Sequence, residues 1–265
     1  MEIAGYLASI FIGISLGLIG GGGSILTVPV LVYLFSIDAV LATAYSLFVV
    51  GSTSVVGSFS YFKKGLVDVK TAVVFGIPSI AAVFLTRTFI VPAIPQEIFS
   101  IGNFTVTKST LLMLLFAVLM VFASYKMIKK STNPDEEGNQ IKKFNYPVSI
   151  LQGTFVGFIT GLIGAGGGFL IIPALVNLLK LPMKTAVGTS LLIIAINSLT
   201  GFLFSLQHTE MDWIFLLTIS AIAISGILIG SFLSTKINGS KLKPAFGWFV
   251  LIMGIYIIIK ETLLN

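Results

Sequence analysis

The sequence predicts an all-α integral membrane protein. It comprises two four-segment repeats, inverted relative to one another, each with a glycine-broken, re-entrant first helix and three transmembrane spans. Three observations predict this class. The 265 residues are 56% hydrophobic, with a mean hydropathy of +1.05, and only 10% are charged. A glycine-rich stretch occurs twice along the chain. The lysines divide unevenly between the two membrane faces once the glycine stretches are read as turns. No soluble core needs so much apolar surface. Barrel strands would alternate polar and apolar residues, whereas these runs are apolar all round.

The recurring stretch runs from Gly13 through Gly20-Gly21-Gly22-Gly23-Ser24 to Pro29. It returns 144 positions on, from Gly157 through Gly164-Ala165-Gly166-Gly167-Gly168 to Pro173. Residues 13–57 aligned on 157–201 without a gap give 17 identities, among them Ser46/Ser190, Ser54/Ser198 and Gly57/Gly201. Asp68 and Asp212 keep the same offset. A duplicated apolar segment with a glycine break inside it points to a transporter binding site.

The apolar segments run at approximately 3–37, 40–62, 67–90, 110–128, 147–179, 184–206, 212–235 and 244–260. This divides the chain into a first membrane repeat (1–128), a hydrophilic cytoplasmic linker (129–145) and a second repeat (146–265). The linker contains Asn133-Pro134-Asp135-Glu136-Glu137. An insert at 91–108, with Pro92, Pro95, Glu97 and Asn103, has no counterpart in the second half. It reads as a segment on the membrane surface or as a disordered loop. Met1-Glu2-Ile3 offers no basic region or cleavage site, so the N-terminus reads as mature protein.

Segments one and five exceed the roughly 20 residues of an ordinary span. Each is either one tilted, broken span or a hairpin that enters, turns at the glycines and leaves on the same side. Eight simple spans would put nine lysines and arginines on one side and seven on the other. Two hairpins would put thirteen on one side and leave Arg87, Lys108 and Lys260 on the other. The positive-inside rule favours the hairpins, with both termini outside. Three spans per half then give the halves opposite orientation.

Glycine has two jobs here. Gly13/Gly17 and Gly157/Gly161 lie four apart on one helix face, where small residues let helices approach closely. Gly20–Gly23 and Gly164–Gly168 are too flexible for helix and supply a turn with free N–H groups. The next helix is expected near Ile25–Val28 and Phe169–Ile172, with Pro29 and Pro173 in or near its first turn. A helix N-terminus carries about half a positive charge and unpaired donors, which suit a small oxyanion. Two opposed turns would meet near the midplane and enclose one site. The alternative is tight packing with hydrated N–H groups.

Two copies of G-x-x-x-G-L-I-G-x-G-G, each followed by proline, then Ala42…Ser46-Leu47 and Ala186-Val187-Gly188-Thr189-Ser190-Leu191, resemble the sulfite exporter TauE/SafE family of membrane permeases. The resemblance covers essentially the whole chain. It implies transport of a small sulfur-containing anion or organosulfonate. The first repeat reads Ala44-Tyr45-Ser46 where the second reads Gly188-Thr189-Ser190, so the halves of any site differ.

The candidate substrate-binding residues are Gly20, Gly21, Gly22, Gly23, Ser24, Ser46, Gly164, Gly166, Gly167, Gly168, Thr189, Ser190 and Asn197. Ser46 and Ser190 either donate to the anion or bond their own helix. Asn197 is expected to face the bundle and bind ligand or a neighbouring helix. Asp68 and Asp212 begin segments three and seven, as N-terminal helix charges or as carriers of a coupling proton. His208 lies in a short loop and reads as solvated. Arg87 is expected to snorkel to the headgroups.

The net charge of +6 comes from lysines at segment ends and in one loop, facing anionic lipid, so nucleic acid is not a partner. The absence of cysteine excludes disulfides and thiolate metal sites, and no metal or cofactor is expected. No intramembrane aspartate pair or Ser–His dyad suggests an enzyme, and no Walker motif suggests ATP. A secondary carrier in the cell membrane is the leading reading, ahead of a passive anion channel or a structural membrane protein. With no cation in the hairpins or in segments two and six, the expected substrate is a monoanion, or a dianion accompanied by a proton or cation.

Overall fold

A computed structural model describes residues 2–101, 104–128, 146–177, 179, 181–206, 211–234 and 239–263. The 129–145 linker, Lys180, Lys236 and His208, with the expectations attached to them, lie outside the described residues. Among the described residues, the regular elements are helices apart from one small hairpin of strands. Six helices among the described residues are long and apolar enough to cross a membrane, and Ile3–Ile19 and Gly23–Leu34 are shorter apolar helices.

Helix α1 (Glu2–Ile19) ends at Gly20, whose φ of 73° few other residues adopt. A 3-10 turn over Gly21–Leu26 leads into α2 (Thr27–Leu34). Gly5 lies against the Phe35 ring and Gly23 against Ser15 and Leu16, so this arm folds back along α1. Helix α3 (Ala39–Lys63) starts where the Asp38 carboxylate accepts the Val40 and Leu41 N–H groups, at 2.8 and 3.4 Å. It stops at Gly65, with φ 67°. Helix α4 (Val69–Leu85) continues through a π-helical turn at Thr86–Ile90 into the short α5 (Val91–Ala93). The 91–108 insert holds two antiparallel strands, β1 (Glu97–Ile101) and β2 (Phe104–Thr107), where the sequence suggested only a surface segment or a loop. Helix α6 (Lys108–Ile128) follows.

The second half contains α7 (Tyr146–Ile163), α8 (Gly168–Asn177), α9 (Met183–Ser205), α10 (Trp213–Leu233) and α11 (Gly239–Leu263). Gly167 lies on the Thr160 hydroxyl and beside Val156, so α8 folds back along α7. Because α8 begins at Gly168, Pro173 lies inside the helix and not in its first turn. The Phe169 carbonyl therefore has no N–H four residues on.

Glycines fix how the helices pack. A Cβ on Gly13 would strike the Ala223 carbonyl, and one on Gly157 would strike the Ser79 carbonyl. Both members of the first contact are 144 positions from those of the second. Gly17 likewise meets Gly230 and Ser231, and Gly161 meets Thr86. Residue numbers rise together along α1 and α10, and along α7 and α4, so each pair is parallel. Along α3 and α9 they run in opposition: Tyr61 lies at Gly188, Gly57 at Leu191, Gly51 at Leu199 and Leu47 at Gly201. Tyr45 meets Phe215 and Gly57 meets Ile227, so α3 is parallel to α10 and therefore to α1. The chain reverses direction between Ile19 and Ala39.

Large apolar side chains such as Phe11, Phe59, Phe122, Phe155, Ile214 and Phe232 are exposed on the periphery, while Ser24, Ser46, Ser54, Thr71, Thr189 and Asn197 are buried. That pattern suits lipid outside and polar groups turned inward.

Candidate functional site

The two glycine turns touch. A Cβ on Gly21 would fall on the Gly168 Cα, and a Cβ on Gly168 would fall on Gly21. Two backbones come this close only where both residues lack side chains. Gly164, Gly166 and Gly167 have φ of 74°, 67° and 69°. The Gly164 N–H still donates to the Thr160 carbonyl at 2.9 Å, closing α7. The first α8 bonds come from Leu170 and Ile171, both to the Gly167 carbonyl. The Gly168 and Phe169 N–H groups lie ahead of that ladder, where a helix leaves donors unused. In the first half, the 3-10 turn occupies Gly21, Gly22, Gly23 and Ser24, and the Ser24 hydroxyl donates to the Gly21 carbonyl at 2.7 Å.

Each turn is backed by a helix of the opposite half of the chain, at positions matched in the alignment. Gly20 lies against Val187 and Gly164 against Thr43, again 144 apart. Ser46 and Ser190 sit three residues beyond these contacts on α3 and α9. Ser190 donates to the Val187 carbonyl at 2.8 Å, whereas the buried Ser46 hydroxyl has no hydrogen-bond partner among the described residues. Asn197 faces the bundle, donating through Nδ2 to Ser79 Oγ at 2.6 Å, with Oδ1 unpartnered.

The sequence reading passed over two hydroxyls at the second turn. Ser198 Oγ lies 3.0 Å from where a Gly166 Cβ would be, and Thr160 Oγ1 lies under Gly167; neither has a partner. Ser54, matched to Ser198, and Thr27, the first residue of α2, are also buried with unpartnered hydroxyls. The Ser54/Ser198 identity in the repeat was the available signal.

Asp68 and Asp212 both cap helices: their carboxylates accept from Thr71 N at 2.8 Å and Phe215 N at 3.0 Å. Thr189 Oγ1 accepts the Asp68 N–H at 2.9 Å, and the Tyr45 hydroxyl accepts that of Asp212 at 2.7 Å. Tyr45 and Thr189 are matched positions. The visible difference between Ala44-Tyr45-Ser46 and Gly188-Thr189-Ser190 therefore hides a shared role.

Arg87 does not snorkel. It is 4% exposed and donates from Nη1 to Thr43 Oγ1 at 3.1 Å. Thr43 is the residue that backs Gly164, so a cation sits one side chain from the second turn. Arg87 enters from the end of segment three, outside the glycine-broken segments and segments two and six, whose sequences carry no cation in their apolar cores. Among the described residues no group of histidine, cysteine, aspartate or glutamate is arranged to hold a metal.

The model of the family described as "Sulfite exporter TauE/SafE" matches residues 6–257. A "Probable membrane transporter protein" of Xylella fastidiosa (strain 9a5c) is 30% identical over 251 residues, covering 93% of this chain and 91% of that protein. The "Probable membrane transporter protein YunE" of Bacillus subtilis is 28% identical over 255 residues, covering 91% of each. A probable membrane transporter protein of Methanocaldococcus jannaschii is 29% identical, covering 90% of this chain and 86% of its own. No solved structure gives a significant match.

Proposed function

Because this chain belongs to the sulfite exporter TauE/SafE family of multi-pass membrane transporters, we propose that it is a permease for a small anion, a sulfur-containing oxyanion or an organosulfonate. The anion binds between the two glycine turns and crosses by alternating access. The carrying observation is the contact of Gly21 with Gly168, beside buried hydroxyls with no hydrogen-bond partner among the described residues. Unsatisfied buried donors are costly, and an oxyanion offers several acceptors at once. The turn backbone, the α8 N-terminus, Ser46, Ser198 and Thr160 would supply hydrogen bonds.

The architecture that suits this function is a pair of inverted repeats, 1–128 and 146–265, joined by a cytoplasmic linker at 129–145. Each begins with a re-entrant hairpin. The antiparallel register of the matched helices α3 and α9 supports inversion. The fold-back of α2 on α1 and of α8 on α7 supports the hairpins. Asp68 and Asp212 are the candidates to carry a coupling proton; each uses one carboxylate oxygen as a cap.

Counterflow in proteoliposomes tests the reading. Vesicles loaded with unlabelled sulfite, thiosulfate or a sulfonate should accumulate the labelled anion against its gradient. Equilibration without accumulation would identify a passive channel, and no flux with any of these anions would reject the anion reading.

A further inference from the structure

We propose that Arg87, assisted by Lys108 and Thr43, is a one-sided cationic anchor for the anion beside the second glycine turn; this rests on the transport reading. An arginine stays ionised when buried. A buried charge without a partner is strongly unfavourable, so arginines in such positions pair with a carboxylate or hold a ligand. Arg87 has no ion pair among the described residues. Its Nη1 bonds Thr43, while Nε and Nη2 are buried with no hydrogen-bond partner among the described residues. The Thr43 hydroxyl donates its own proton to the Val40 carbonyl at 2.7 Å, so toward Arg87 it is purely an acceptor.

The neighbouring charges deepen the deficit. Lys108 is 6% exposed and lies within electrostatic reach of both Arg87 and Asp38. Asp38 is exposed, and its Oδ1 is already accepting the Val40 and Leu41 N–H groups. Two buried cations thus share a region with one solvated carboxylate. Nε and Nη2 lie along one edge of the guanidinium plane and match two oxygens of a tetrahedral or pyramidal oxyanion. An anion reaches them when α4 and the second hairpin part, the kind of movement alternating access requires.

The anchor has no twin. The positions 144 residues on from Thr43 and Arg87 are Val187 and Ser231, neither of which carries charge. The anion is therefore gripped by a full positive charge at one turn and by dipoles and hydroxyls at the other. The second charge of a dianion, for which the hairpins alone offer too little, then has a partner.

The test uses purified full-length protein and anion-dependent thermal stabilisation, with sulfate and methanesulfonate as a dianion and a monoanion of similar shape. Arg87→Gln should require roughly tenfold or more of either anion for the same stabilisation, with the larger loss for sulfate. Arg87→Lys, which keeps the charge without the fork, should fall between. Equal affinity in Arg87→Gln, or equal loss for both anions, would overturn the anchor and mark Arg87 as structural. If Arg87→Gln fails to fold, Arg87→Lys and Lys108→Gln carry the test: weaker binding of both anions by Arg87→Lys together with a sulfate-selective loss in Lys108→Gln supports the anchor, and unchanged affinities in Arg87→Lys or a loss equal for both anions in Lys108→Gln overturns it. If neither anion, nor sulfite or thiosulfate, stabilises the native protein, the transport reading itself falls.

Discussion

Gly166 is held by two constraints at once. Its φ is 67°, and a Cβ there would lie 2.6 Å from Val50 Cγ1 and 3.0 Å from Ser198 Oγ. Gly65 has the same φ, and an added Cβ there would have nothing within 4 Å. Gly65→Ala should therefore cost only the left-handed strain, about 1–2 kcal/mol, and leave transport intact. Gly166→Val should abolish transport, because the branched side chain fills the turn as well as straining it. Proteoliposome uptake alongside melting temperatures separates the two, and native-rate uptake by Gly166→Val would remove this turn from the site. The serines divide in the same way. Ser46 has a free hydroxyl, whereas Ser190 spends its proton on its own helix. Loss of a hydrogen bond to a charged group costs about 1.5–3 kcal/mol. Ser46→Ala should weaken anion binding by about that much, and Ser190→Ala by less; the reverse order in a binding titration would contradict the assignment.

At the scale of elements, glycine is a packing residue in some places and a liability in others. The α7–α4 contact depends on Gly157, where a methyl would strike the Ser79 carbonyl. A backbone carbonyl cannot swing aside as a side chain can, so α7 must move off α4. Gly76, also buried and within α4, has nothing within 4 Å of an added Cβ. Gly76→Ala should stabilise the protein by up to about 1 kcal/mol through helix propensity, while Gly157→Ala lowers the melting temperature in detergent. Equal responses would mean that α4 and α7 do not pack in this register. The caps supply a second comparison. Asn caps as well as Asp, whereas loss of a cap costs about 0.5–2 kcal/mol. Asp68→Asn should therefore preserve the melting temperature and Asp68→Ala should lower it. Under the coupling proposal, Asp68→Asn also loses any proton-gradient dependence of uptake.

For the whole molecule, the proposed hairpins place the 129–145 linker and the C-terminus on opposite faces. The cysteine-free chain makes this measurable with single introduced cysteines. Asp135→Cys should react with an impermeant maleimide only from the cytoplasmic side, and Asn265→Cys only from the outside. Labelling of both from one side would replace the hairpins by full spans. The exposed belt of Phe11, Phe59, Phe155 and Phe232 is the surface that lipid covers in either case.

The sequence by itself determined what depends on local composition. Apolar runs marked Ala39–Lys63, Met183–Ser205 and Trp213–Leu233 to within a few residues, and Asp68 and Asp212 stood at the helix starts they cap. Hydropathy and capping act over a few neighbouring residues, so they are written along the chain. The duplicated glycines were visible for the same reason. Only the tertiary structure decided what those residues meet. Gly21 contacts Gly168 across 147 positions, and Tyr45 and Thr189 perform one task with different side chains. Arg87, at a segment end where chain position alone suggests lipid headgroups, is instead buried and bonded to Thr43 of α3. Burial is set by whichever distant helices close over a residue, and no local pattern encodes that.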